Sequence, residues 1–98
     1  MRNVLTVGTT KVLALTTQFP TRQLTFINLG SGTLYYQVVA QGATSTLTTS
    51  NGTAVAPESD PVYTPLNPSQ TVTQPCALAD VYLISGSSTL AYVGSEPW

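Results

Sequence analysis

Residues Arg22–Ala40 read RQLTFINLGSGTLYYQVVA. In an extended chain Leu24 and Phe26 share one face, and Thr25 and Ile27 share the other. Past Gly30-Ser31-Gly32, Leu34, Tyr36, Val38 and Ala40 line one face while Tyr35, Gln37 and Val39 line the other. Side chains that alternate with period two on both sides of a Gly/Ser turn predict two strands, Arg22–Asn28 and Thr33–Ala40, joined as a hairpin. Apolar residues on both faces of the second strand mark it as central, or as backed by a partner. Gly30-Ser31-Gly32 also resembles the start of a phosphate loop. The third glycine and the following helix are missing, so the turn explains it.

The same rhythm extends in both directions. Asn3–Val7 and Lys11–Thr17 are predicted strands that could pair as a hairpin across Gly8-Thr9-Thr10. Thr44–Thr49 and Thr53–Ala56 flank Asn51-Gly52, a strong type I′ turn signal because both residues tolerate positive φ. Pro57, Pro61, Pro65 and Pro68 each lack a ladder donor, so Pro57–Pro68 is predicted to be a long surface loop anchored by Val62, Tyr63 and Leu66. Ser69–Gln74 reads as a short strand. Asp80–Ser85 and Thr89–Ser95 read as a hairpin across Gly86-Ser87-Ser88. No stretch keeps helical apolar spacing over three turns. The expectation is one all-β domain over residues 1–98, a small β-sandwich or barrel of about seven to nine short, mostly antiparallel strands.

Composition narrows function. The 98 residues include three basic and four acidic side chains, no histidine and one cysteine, for a net charge of -1. Charged residues make up 7%, against roughly 25% in an ordinary soluble domain. Apolar residues make up 42%, enough to build a core rather than a disordered chain. The surface must then be mainly Thr, Ser, Gln and Asn. Such a surface has little charge repulsion to keep copies apart, which suits a protein held in an assembly. No apolar run approaches the ~18 residues that cross a bilayer, so no membrane partner is expected. Thr6, Gly8, Thr9, Thr10 and Lys11 interrupt the first apolar stretch, and a signal peptide is not expected.

Catalytic chemistry finds few residues to work with. A serine or threonine nucleophile needs a base. Without histidine only Lys11 remains, and it reads as a solvated edge residue that discourages further pairing. Cys76 has no disulfide partner and no base to make it a thiolate, so it reads as a packing residue. Glu58 and Asp60 form the one close acidic pair. A calcium site would need more oxygen ligands than this segment supplies, and the pair reads as a solvated loop tip. Asn51-Gly52-Thr53 matches a glycosylation acceptor, but the turn explains the same residues. Three scattered basic residues cannot track a phosphate backbone, so nucleic acid is not an expected partner. No enzyme, cofactor or metal is expected.

The stretch Leu24–Tyr36, together with Asp80-Val81-Tyr82-Leu83-Ile84-Ser85-Gly86 and Leu90-Ala91-Tyr92-Val93, resembles small β-sandwich structural proteins of tailed-bacteriophage virions. In those proteins an apolar strand runs into an Asn and a Gly/Ser turn, then into a Tyr-bearing strand. The resemblance spans residues 22–40 and 80–95. The Pro-rich loop and the Pro97-Trp98 ending are not part of it. It implies a non-enzymatic capsid decoration or cement protein, or another head or tail accessory protein, that binds copies of a major virion protein. Its location would be the virion, after synthesis in the host cytoplasm.

The leading expectation is therefore a virion structural protein, present as a homo-oligomer or as lattice-bound copies, holding its neighbours by area burial and strand-edge pairing. Met1–Gly8 is a candidate arm or an ordinary edge strand. Val4, Leu5, Tyr63, Leu66 and Trp98 are the candidate interface residues. Trp98 enters because tryptophan is enriched among interface anchors and Pro97 stiffens its approach. The alternative is a carbohydrate or cell-surface binding module that uses the tyrosines and the Pro57–Pro68 loop.

Overall fold

A computed structural model describes residues 2–17, 21–56, 62–65 and 79–97. Within them the chain forms eight strands and no helix: β1 (Arg2–Val7), β2 (Val12–Thr16), β3 (Thr21–Asn28), β4 (Tyr35–Ala40), β5 (Thr53–Ala54), β6 (Val62–Pro65), β7 (Ala79–Ile84) and β8 (Thr89–Pro97). They make two four-stranded sheets, ordered β1-β8-β3-β6 and β2-β7-β4-β5, and every pair is antiparallel. The fold is a sandwich, not a barrel.

The pairing has a simple origin. β1 pairs β8, β2 pairs β7, β3 pairs β6 and β4 pairs β5. These are the rungs of one long antiparallel ribbon whose tip is the β4–β5 turn. Rolling the ribbon brings β3 against β8 and β4 against β7, which completes both sheets. This strand order is the jelly roll, a double-sheet arrangement of two Greek keys.

Alternation along the strands fills the space between the sheets. Leu24, Phe26, Val7, Ala91 and Val93 come from one sheet and Leu15, Val81 and Leu83 from the other, all buried. Phe26 stacks on Tyr36 across the gap, with ring centroids 4.0 Å apart and planes 13° from parallel. Leu34 and Val55 close the core at one end, where Val55 donates its amide to the Leu34 carbonyl.

Three expected hairpins are not hairpins. β1 and β2, β3 and β4, and β7 and β8 each lie in opposite sheets, so their connections arch across the sandwich. A hairpin would have left one apolar face of these strands uncovered; the arch lets both inward faces meet. The expected Pro57–Pro68 loop contains strand β6, which pairs with β3 from Phe26↔Val62 to Gln23↔Pro65. Proline is tolerated there because β6 is an edge strand. Thr44–Thr49 is not a strand. Gly52 does not take the positive φ of a type I′ turn; among the described glycines only Gly42, at φ 85°, does. The predicted strand Ser69–Gln74, Cys76 and the acidic pair Glu58 and Asp60 lie outside the described residues.

Asn28 holds the arched end together. Fully buried, it donates from Nδ2 to the carbonyls of Gly32 (2.8 Å) and Val55 (3.2 Å). Its Oδ1 accepts from Thr89 Oγ1 (2.6 Å) and from the Gly30 amide (3.3 Å). A second set joins the same loops: Ser85 Oγ donates to the Thr33 carbonyl, Gly86 donates its amide to Thr33 Oγ1, and Ser85 donates its amide to the Gly8 carbonyl. Gly32 sits so close to Ser88 that a Cβ would run into the Ser88 carbonyl oxygen.

Asn28→Ala should strand several buried polar groups, at about 1–3 kcal/mol for each left without a partner. A loss of about 2–3 kcal/mol lowers the melting temperature of a domain this size by about 10–20 °C. Thermal denaturation checks it; a shift of a few degrees would show that water replaces the side chain.

Candidate interaction face

The two outer faces of the sandwich differ. On the β2-β7-β4-β5 sheet the chain covers itself. Residues 43–51 fold back over β4, and Gln37 is the anchor: its Oε1 accepts from Ser45 Oγ (2.7 Å) and from the Thr46 amide (3.1 Å), while its Nε2 donates to Thr46 Oγ1 (3.0 Å). Leu47 is buried in this layer, with Cδ1 packed close to Gly52. Asn51 braces the segment internally, donating to the Thr46 carbonyl and accepting from the Thr48 amide. Lys11 is not a free gatekeeper. Its Nζ donates to the Ser45 carbonyl (2.9 Å) and stands 5.5 Å from the centre of the Tyr82 ring. At the far end Asp80, buried, accepts from Thr16 Oγ1 and from the Gly42 amide, both at 2.9 Å, which secures the start of the covering segment.

The outer face of the β1-β8-β3-β6 sheet has no such cover among the described residues. Residues opposite one another share a face. Since Leu24, Phe26, Ala91 and Val93 point inward, their neighbours point out. The outer rows are Thr6, Leu90 and Leu29; then Val4, Tyr92 and Ile27; then Arg2, Gly94 and Thr25. Val4 is 54% exposed, Leu29 46% and Leu90 43%, and Tyr92 and Ile27 are half-buried between them. Tyr92 lies along its strand over Gly94: a Cβ there would meet Tyr92 Oη at 2.6 Å. The ring therefore flattens the sheet instead of projecting from it. Hydroxyls of Thr6 and Thr25 rim the apolar residues, and among the described side chains of this face Arg2 and Glu96 are the charged ones, both toward one end. Contiguous exposed apolar residues with a polar rim mark an interaction surface.

The structure separates the expected interface residues. Val4 is on the outer face. Leu5, one position on, is half-buried and packs against the core. The β6 backbone puts Tyr63 in register with Thr25. Leu66 and Trp98 lie outside the described residues. Ile27, Leu29, Leu90 and Tyr92 were not anticipated as a set, because their shared row depends on β1, β3 and β8 being neighbours. No group of three or more His, Cys, Asp or Glu among the described residues could hold a metal ion. No described helix could cross a membrane. Comparison with protein-family models, with curated proteins and with solved structures finds no match.

Gln37→Ala should release residues 45–46 while leaving the sheets intact. The Thr46 amide loses its acceptor, about 1 kcal/mol of local stability, so its hydrogen exchange should rise about fivefold. Unchanged exchange would mean that Lys11 and Asn51 alone hold the segment.

Proposed function

We propose that the protein is a non-enzymatic structural component of a virus particle, a capsid decoration or cement protein that docks on a major virion protein through the outer face of the β1-β8-β3-β6 sheet. The observation that carries this reading is the contrast between the faces. One is covered over β4 by the chain's own residues 43–51 and leaves Leu13 on β2 as its one exposed large hydrophobic among the described residues, and the other presents Val4, Ile27, Leu29, Leu90 and Tyr92 together with no described cover. Two further features support it. Jelly-roll sandwiches are a recurrent architecture of viral capsid domains, though a fold alone does not assign a function. The near-absence of charge leaves apolar area and backbone pairing as the means of attachment.

Lectin domains also use the jelly roll. A carbohydrate-binding module is therefore the second reading, favoured by Tyr92 lying flat on the exposed sheet, a platform on which a sugar ring could stack.

Co-sedimentation with particles stripped of this protein tests the first reading, and a glycan array tests the second. Leu29→Ser combined with Leu90→Ser should abolish co-sedimentation. Each change should alter monomer stability by no more than about 0.5 kcal/mol, as expected at surface sites. Retained binding by a folded double variant would remove this face from the proposal.

Binding should also vary by less than about tenfold between 50 mM and 500 mM salt, since screening acts on exposed charges and few are present. A steeper dependence would point to an ionic attachment elsewhere.

A further inference from the structure

The sandwich has four sheet edges, and three carry a device that discourages added strands. β2 contains a bulge between Leu13 and Leu15, and the Ala14 carbonyl there already accepts from Asn3 Nδ2 at 2.9 Å. β5 is two residues long. β6 ends in a proline, which has no N–H to offer. β1 has none of these. Its six residues pair with β8 without a break, and its one charge, Arg2, sits at its first position.

Pairing parity shows which β1 groups face outward. In an antiparallel ladder the N–H and C=O of a residue point to the same side. The Leu90 carbonyl accepts the Leu29 amide at 2.8 Å, so Leu90 and Tyr92 bond toward β3, and Thr89, Ala91 and Val93 bond toward β1. The β1 partners of those three are Val7, Leu5 and Asn3. Arg2, Val4 and Thr6 therefore turn their backbone groups out of the sheet, where no described residue receives them.

We infer that β1 is a homodimerisation edge: β1 of a second copy pairs with it antiparallel, with Val4 opposite the partner's Val4. This register satisfies every outward group. Arg2 meets Thr6, Val4 meets Val4 and Thr6 meets Arg2, each pair exchanging two bonds, about six in all. No like charges face each other, because the Arg2 residues stand at opposite ends of the pair. The operation is a two-fold, so the edge closes on itself and no further copy can add there.

With the two-fold perpendicular to the sheet, the dimer has one continuous eight-stranded outer face that brings together both sets of apolar residues. The inference goes beyond the proposed function and does not require it: dimerisation is read on the isolated chain, without particles.

Sedimentation of the full chain and of Val4→Pro tests it. Proline is tolerated in an edge strand where the N–H faces outward, and carried by both copies it removes both central bonds of the pair. The wild-type chain should sediment at twice its 10.3 kDa mass, and Val4→Pro at that mass with its β spectrum and melting transition kept. A short bis-maleimide crosslinker gives a second readout, in a Cys76→Ser background. Val4→Cys should crosslink, because the two Cα atoms of a hydrogen-bonded pair lie about 5.5 Å apart. Thr6→Cys should not, because its two copies would be about 14 Å apart along the strands. A wild-type chain that stays monomeric to about millimolar concentration, a dimer that survives Val4→Pro, or equal crosslinking at both positions overturns the inference. Should Val4→Pro not fold, the crosslinking contrast decides.

Discussion

Asn28 is where the two sheets become one molecule. Three connections arch over the same end of the sandwich, and each brings backbone groups that have no ladder to join. A buried amide or carbonyl without a partner costs about 1–3 kcal/mol. One carboxamide serves three such backbone groups, donating to the Gly32 and Val55 carbonyls and accepting the Gly30 amide, and it accepts from the Thr89 hydroxyl as well. Only a side chain with both functions at this length can do so. The glycines beside it follow from the same constraint: Gly30 and Gly32 pass so near Thr89 and Ser88 that any side chain would collide. Inward alternation then needs no further device to place Phe26 on Tyr36.

The opposite end is held differently. Asp80 and Thr17 replace the carboxamide, with Thr17 Oγ1 accepting the Ala79 amide at 2.8 Å. From there residues 43–51 are tied across one sheet by Gln37 and Lys11. The far sheet receives no such layer among the described residues. A chain with a formal net charge of -1 and so few ionic groups thus has two unlike broad faces, one covered over β4 by hydroxyls and amides with Leu13 exposed on β2, the other a contiguous row of aliphatic and aromatic carbon.

Much of this was legible in the residues. Period-two alternation in Leu24–Ile27 and Leu34–Ala40 marked strands and sorted their side chains onto two faces, and all-β architecture followed. Topology was not legible. A Gly/Ser turn between two strands fits a tight hairpin and an arch between sheets equally well, and only the burial of both apolar faces chooses the arch. Asn28 carried a local signal, since Asn two residues before Gly favours an Asx turn, but its contacts with Val55 and Thr89 are distant in sequence. Lys11 carried none: its partner Ser45 is 34 positions away. The outer apolar row was invisible for the same reason, because Val4, Ile27, Leu29 and Leu90 become neighbours only when the ribbon rolls. Val62–Pro65 was hidden by Pro65 and the prolines on either side of it in sequence, though a proline is compatible with an edge strand.

The ribbon pairing also orders events in time. Its tip, β4–β5, closes a short loop, whereas β1 must find β8 across nearly the whole chain, and loop closure grows costlier with length. Folding of such non-local sheets is slow. β8 lies between β1 and β3, so until residues 89–97 have been made β1 has no strand partner and β3 has only β6. Completion of the first sheet thus waits for β8, and β1, paired on one side only, gains no ladder before it.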